Sequence, residues 1–149
     1  MAQNQVRTIT KKDMKKKLLL GSAALLLVAL TFQSAAPQEP VMTKEDGMTV
    51  INTTTLGSQF IGYTDITPVK IYIQKNKVVK VEALKNQETP KYFAKVKKQI
   101  LDKWNGLKVN DAQKLKVDAV TGATMSSDAV IGNVQAGLDY YKKNSKKAK

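Results

Sequence analysis

The spacing of hydrophobic and polar positions indicates strands in the first part of the domain and helices in the later part. Apolar and polar side chains alternate over residues 69–74 and 79–83, on either side of Lys75-Asn76. Alternation with a period of two predicts strands that bury one face, and asparagine tolerates the left-handed angles of a tight turn. Residues 49–55 and 60–66 also have strand composition. The pattern therefore predicts a hairpin within a small antiparallel sheet.

Two later segments have the apolar spacing of helices. One follows Thr89-Pro90, where the threonine is a candidate N-cap and proline suits the first turn, and it ends near residue 105. The other runs from about residue 127 to 143, and a short strand over 115–117 is expected between the two helices. The predicted fold class is α+β, a small antiparallel sheet with two main helices packed on it, preceded by an N-terminal signal or anchor segment.

The N-terminal pattern indicates export. Three lysines, at residues 15–17, precede an uncharged run over residues 18–32, which is followed by small residues and two prolines. This order is typical of a secretory signal, whereas a confident membrane span needs about 20 apolar residues. A cleaved signal and an uncleaved anchor formed by residues 18–32 both stay open. The predicted divisions are signal peptide or anchor 1–36, linker 37–46, functional domain 47–143 and basic tail 144–149, in a periplasmic or cell-surface location.

The net charge of +13 is concentrated at the two ends. Residues 1–17 carry six basic side chains and one acid, and residues 142–149 carry five lysines and no acid, which leaves only +3 for residues 18–141. A nucleic-acid partner is therefore not predicted. A non-enzymatic envelope-binding or structural module, with the basic tail on an acidic lipid or polymer, stays open as an alternative function.

Missing residue types narrow the chemistry. The chain has no histidine and no cysteine. Serine–histidine catalysis, disulfides and thiolate metal sites are therefore excluded. An organic redox cofactor needs neither residue type, because it supplies its own chemistry. We assign no catalytic residue and no metal ligand.

One stretch stands out as a candidate site. Residues 118–127 read Asp-Ala-Val-Thr-Gly-Ala-Thr-Met-Ser-Ser and precede the last predicted helix. Small neighbours make Thr124 accessible, and Ser126, Ser127 and Asp128 are typical of a capped helix start. The unpaired N–H groups and the dipole of such a start favour an anionic group.

Residues 118–124 resemble the Asp-x-x-(Ser/Thr)-Gly-Ala-Thr signature of the FMN-binding domain family. That family includes the flavin subunits of Rnf-type electron-transport complexes and of sodium-translocating NADH:quinone reductase. A glycine-led hairpin after Gly62, a Glu88-Thr89-Pro90 element and an Ala-Val-Ile sequence at 129–131 extend the resemblance over about residues 47–141. In the family, the last threonine of the signature carries FMN through a phosphoester bond, and Thr124 corresponds to it.

The resemblance also implies roles for the neighbouring residues. A separate flavin transferase, using FAD and a divalent metal, attaches the FMN and reads a pattern that here comprises Asp118, Thr121, Gly122 and Ala123. The phosphate is expected near the N–H groups of Met125, Ser126 and Ser127, whose two serine hydroxyls either donate to it or only cap the helix. Glu88 and Thr89 are expected near the flavin ring, and Tyr92 either stacks on that ring or packs in the core.

The function implied is that of an exported electron-transfer flavoprotein. Covalent FMN on Thr124 relays electrons between membrane or extracytoplasmic redox partners, and the membrane itself is a partner if the N-terminal segment stays uncleaved. Whether the protein is a component of a larger oxidoreductase system is left open.

Overall fold

The computed structural model describes residues 38–146. The predicted signal or anchor segment (1–36) and the last three residues of the predicted tail lie outside the described residues. Over the described range, none of the helices has the length and apolar character that a membrane crossing requires.

Four strands form one antiparallel sheet in chain order: β1 (Met42–Glu45), β2 (Met48–Asn52), β3 (Val69–Gln74) and β4 (Lys77–Ala83). The turn between β3 and β4 is the predicted one, with φ of 48° at Lys75 and 61° at Asn76. Residues 42–45, assigned to a linker from the sequence, form the edge strand β1 instead. Asp46 and Gly47, both with positive φ, turn the chain so that β1 pairs with β2.

The helical elements are α1 (Pro90–Gln99), a 3₁₀ turn (Leu101–Trp104), α2 (Val109–Lys114) and α3 (Thr124–Ser145). The α+β fold is confirmed, with a third, short helix in addition to the two main ones. The strand predicted over 115–117 is wrong, because these residues pair with no described strand. Helix α2 has only six residues, too few for apolar periodicity to reveal it.

The core lies between one face of the sheet and helices α1 and α3. It contains Ile51, Ile71 and Ile73 from the sheet together with Phe93, Val96, Trp104, Val130, Val134 and Leu138 from the helical elements. Helix α3 approaches the sheet closely at Gly137, where an added Cβ would lie 2.5 Å from Ile71 Cδ1. The absence of a side chain at this position therefore sets the helix–sheet spacing.

The segment 60–66 was predicted to have strand character, and this prediction is wrong. It forms a loop closed by a single bridge between Ile61 and Ile66, with the Gly62 N–H donating to the Asp65 carbonyl at 2.9 Å. Four consecutive residues, Gly-Tyr-Thr-Asp, favour a turn over a pleated strand. Because the chain turns here, the side chain of Tyr63 remains exposed.

Strand β4 contains an irregularity that the simple alternation did not predict. Tyr72 pairs with Lys80, whereas the next residue, Ile73, pairs with Val78, so the register shifts between them. Val79 is left without a partner and is 41% exposed, while Val78 is 0% exposed. A β-bulge of this kind changes the face of the sheet towards which the neighbouring side chains point. It places Val78 and Val81 in the core, and the prediction that Val79 shares the buried face is wrong.

Tyr72, Glu82 and Lys80 form a cluster on the opposite face of the sheet. The Tyr72 hydroxyl donates to Glu82 Oε2 at 2.9 Å, and Lys80 Nζ donates to Glu82 Oε1 at 2.6 Å. Burial, reinforced by the hydrogen bond to Glu82 and by the negative charges of Glu82 and Glu45, raises the pKa of Tyr72 to about 12. The hydrogen bonds from Lys80 and from Tyr72 lower the pKa of Glu82.

The bulge can be tested with two neighbouring valines. Val78→Ala should lower the free energy of unfolding by about 2–3 kcal/mol, since it leaves a cavity in the core. Val79→Ala, the matched control, should change it by less than about 0.5 kcal/mol. Urea unfolding monitored by the fluorescence of Trp104 gives both values, and equal losses would contradict the register described above.

The Tyr72 cluster predicts a specific loss of stability at alkaline pH. The pKa of this phenol is higher in the folded protein than in the unfolded chain, so its contribution is complete below about pH 10 and is lost towards pH 12. Urea unfolding at about pH 9 and about pH 11.5 should therefore show a larger decline for the native chain than for Tyr72→Phe. Parallel declines would show that the phenol titrates normally.

Candidate functional site

The loop before α3 is shaped by a tight turn and by one serine. Gly122 has φ of 80°, and the Ala123 N–H donates to the Val120 carbonyl at 2.9 Å. The Ser127 hydroxyl donates to the Ala123 carbonyl at 2.7 Å and accepts a hydrogen bond from the Val120 N–H at 3.0 Å. Ser127 thus fastens the loop to the first turn of α3.

Helix α3 begins at Thr124, three residues earlier than predicted, with Ala123 as its N-cap. No side chain caps it, so the prediction that Ser126, Ser127 and Asp128 form a capped start is wrong. The Ser127 N–H bonds to the Ala123 carbonyl at 2.9 Å and is therefore not free for an anion. The first three amides of the helix, those of residues 124–126, have no partner among the described residues and lie at the positive end of the helix dipole.

Thr124 is exposed in the first turn of this helix. Its hydroxyl makes no hydrogen bond to any described residue, so no described carboxylate or amine is bonded to it as a base. A threonine hydroxyl without a neighbouring base is a weak nucleophile. Thr124 is therefore accessible to an external enzyme and poorly equipped to react by itself.

Glu88 joins three segments around Thr124. Its side chain is buried; Oε1 accepts a hydrogen bond from the Thr64 N–H at 3.2 Å, and Oε2 accepts one from the Ser126 hydroxyl. A methyl group at Gly62 would overlap Glu88 Oε1, so the backbone of this loop lies directly against the carboxylate. Glu88 therefore connects the 62–64 loop, the start of α1 and the first turn of α3.

These segments surround a cleft of about 570 Å³. Three residues of its lining are among the most exposed large apolar side chains: Tyr63 is 72% exposed, Tyr92 44% and Met125 54%. Ile61, next to this loop, is 53% exposed. Exposed aromatic groups around a concave site provide faces for a flat ring. The free amides of α3 provide donors for an anion at the same site.

The cleft brings together most of the predicted binding residues. Those that line it are Glu88, Thr89, Tyr92, Gly122, Ala123, Thr124, Met125 and Ser126. Thr89 is the N-cap residue of α1, as predicted, although its side chain makes no capping hydrogen bond. Tyr92 lines the cleft rather than the core, whereas its neighbour Phe93 is buried.

Three predicted residues lie outside the lining of the cleft. Asp118 is exposed beside a separate groove, Thr121 borders a hollow next to Lys95 and Lys98, and Ser127 is fully buried. The Ser127 hydroxyl is already used within the loop, so it neither caps the helix nor has a free proton to donate to a phosphate. The proposed recognition of Asp118 and Thr121 stays a prediction.

Sequence reasoning missed Tyr63. The segment was assigned strand character, in which a tyrosine is an ordinary partner in a sheet. The available signal was the turn composition of Gly62 to Asp65, which places an aromatic side chain on a loop. Binding residues lie disproportionately on loops that a rigid scaffold positions, so an aromatic side chain on this loop was a candidate.

Comparison with known proteins gives one match. The family model described as FMN-binding domain matches residues 62–139, more than half of the chain, and this range includes every residue that lines the cleft. No curated protein and no solved structure gives a significant match.

The hydrogen bond between Ser126 and Glu88 can be tested by stability. Ser126→Ala should lower the free energy of unfolding by about 1–3 kcal/mol, because it leaves a buried carboxylate oxygen without its donor. Thr124→Ala, a matched control in the same helical turn, should change it by less than about 0.5 kcal/mol, since Thr124 is exposed and unbonded. Chemical unfolding of both variants measures the difference, and a neutral Ser126→Ala would show that Glu88 does not depend on this donor.

Proposed function

The chain belongs to the FMN-binding domain family, and from this premise we propose that it is an exported electron-transfer flavoprotein. Its FMN is joined to Thr124 by a phosphoester bond. The observation that carries this proposal is the position of Thr124, exposed in the first turn of α3 and on the wall of the cleft.

The chain's own residues fit both ends of FMN. The free amides at the start of α3 are suited to a phosphate, and a phosphodiester on Thr124 would lie beside them. Tyr63 and Tyr92 offer aromatic faces to a flavin ring, and the cleft volume of about 570 Å³ lies within the usual range of cofactor sites. Glu88 holds the walls of the cleft in place before any cofactor enters.

Attachment is proposed to need a separate flavin transferase. The Thr124 oxygen attacks the FMN phosphorus of FAD, the pyrophosphate bond breaks, AMP leaves and the hydroxyl proton is released. This chain contributes the acceptor hydroxyl and a loop of small residues, and no described base is hydrogen-bonded to Thr124.

The bound flavin would supply one- or two-electron redox chemistry, which this chain's side chains lack. The lysine-flanked apolar segment near the N-terminus supports export, and it keeps both a cleaved signal and a membrane anchor open. Outside the cytoplasm a dissociated cofactor would be lost by diffusion, and a covalent link prevents that loss. We therefore propose membrane or extracytoplasmic redox partners and a carrier role.

The proposal predicts that flavin content depends on one hydroxyl. The full chain, co-produced with an exported flavin transferase, should stay yellow after denaturation and gain the mass of one FMN minus one water on the peptide containing Thr124. Thr124→Ala should lose at least about 95% of this label, since no other hydroxyl shares its position. Absorbance near the flavin band and peptide mass spectrometry measure both quantities.

Thr55→Ala is the matched control, because Thr55 is also exposed but lies away from the cleft. It should label as the native chain does. A native chain that stays unlabelled while the same transferase modifies another acceptor would refute the covalent proposal. That outcome would favour the alternative of an envelope-binding module.

A further inference from the structure

The solvent face of α1 carries an unusual concentration of positive charge. The helix contains four lysines and no acidic residue. At roughly 100° per residue, Lys91, Lys95 and Lys98 fall within about 60° of one another, opposite the buried Phe93 and Val96. We call these three residues the α1 lysine face.

This arrangement does not stabilise the helix. Lysines spaced three or four residues apart repel one another, and Lys91 lies in the first turn, where the helix dipole disfavours a cation. Among the described residues the only ion pair joins Lys80 to Glu82, so the α1 lysine face has no described acidic partner. The charge is available to an external group.

The lysine face adjoins the cofactor cleft. Lys95 Nζ lies 5.9 Å from the centroid of the Tyr92 ring, and Tyr92 lines the cleft. Lys95 and Lys98 also border a hollow of about 440 Å³ that includes Thr121, three residues before Thr124. The exposed side chains of Tyr63 and Met125 line the same cleft, and the exposed Ile61 lies in the same loop as Tyr63; we call these three residues the apolar rim. The cleft therefore has an apolar rim and an adjoining cationic face.

We propose that the α1 lysine face steers an electron-transfer partner with an acidic protein surface to the flavin cleft. This inference rests on the proposed function, since it assigns the docking side of the same site. Complementary charge accelerates encounter more than it tightens binding, which suits a carrier that must release its partner quickly. The apolar rim then supplies the small contact that a transient complex needs.

The first test compares two oxidants of opposite charge on the reduced, flavin-loaded full chain. Ferricyanide is a trianion and hexaammineruthenium(III) is a trication. Oxidation of one reduced flavin consumes two ions of either oxidant, each of which takes one electron, and releases two protons to solvent. Replacing all three lysines (Lys91→Glu, Lys95→Glu and Lys98→Glu) should slow ferricyanide about tenfold at low ionic strength and accelerate the ruthenium complex. Both effects should shrink in about 0.5 M salt.

The matched control carries Lys142→Glu, Lys143→Glu and Lys146→Glu. These residues are exposed near the C-terminal end of α3, about 30 Å along the helix from Thr124, and the change in net charge is the same. Both rates should stay within about twofold of the native chain. Rates that move in the same direction for the two oxidants would indicate a changed flavin potential and would overturn the steering proposal.

The second test needs no flavin. Hexacyanochromate(III), a paramagnetic trianion that does not exchange electrons here, should broaden the amide NMR signals of residues 91–99 in the unlabelled full chain. Broadening should be lost in the α1 variant and kept in the control. If the chain accepts flavin but shows no broadening, the steering inference is overturned and the proposed function stands. If the chain shows broadening but never accepts flavin, the anion-binding surface stands and the proposed function is refuted.

A membrane is the competing occupant. Binding of the loaded chain to phosphatidylglycerol vesicles that depends on the α1 lysine face, without opposite changes in the two oxidation rates, would assign this face to lipid and overturn the proposal.

Discussion

The cleft depends on the buried carboxylate of Glu88. One oxygen accepts from the Thr64 N–H and the other from the Ser126 hydroxyl, so three segments that are distant in sequence meet at one group. Removing a carboxylate from water is costly unless its oxygens are hydrogen-bonded, and this cost disfavours any arrangement in which a segment moves away. The walls of the cleft are thus set by the protein itself, and a cofactor would enter a site that is already organised.

The exposed hydroxyl of Thr124 follows from how α3 begins. Because Ser127 bonds inward to the Ala123 carbonyl and the Val120 N–H, the loop is fixed without a capping side chain, and the first amides of the helix remain free. A side-chain cap would compete for these donors. The uncapped start costs helix stability, and a phosphodiester at Thr124 would offset this cost by occupying the free donors.

The sequence predicted the elements that depend on local pattern and missed those that depend on tertiary contact. Period-two alternation found β3, and apolar spacing found α1 and α3. The bulge at Val79 and the pairing of β1 arise from contacts with other segments, which one-dimensional spacing does not encode. The loop around Tyr63 had a local signal in the turn composition of Gly62 to Asp65, but the strand composition of residues 60–66 was given more weight. Most of the candidate site was predictable because its residues lie in a short sequence motif. The hydrogen bonds by which Ser127 fixes the loop before α3 could be recognised only in the folded structure.

A covalent cofactor changes what the surface around it has to do. A protein that binds its flavin reversibly must use contact area and burial to retain it, which closes the site. A tethered flavin is retained by one bond, so the cleft can stay open and its rim can keep exposed apolar groups such as Tyr63 and Met125. An open rim without charge would also promote non-specific association. The lysines of α1 would counter this tendency, because like charges keep copies of the chain apart and the proposed acidic partner would be attracted. If the proposed covalent link to Thr124 forms, the open cleft and the unbalanced charge of α1 would both suit brief contact with a partner.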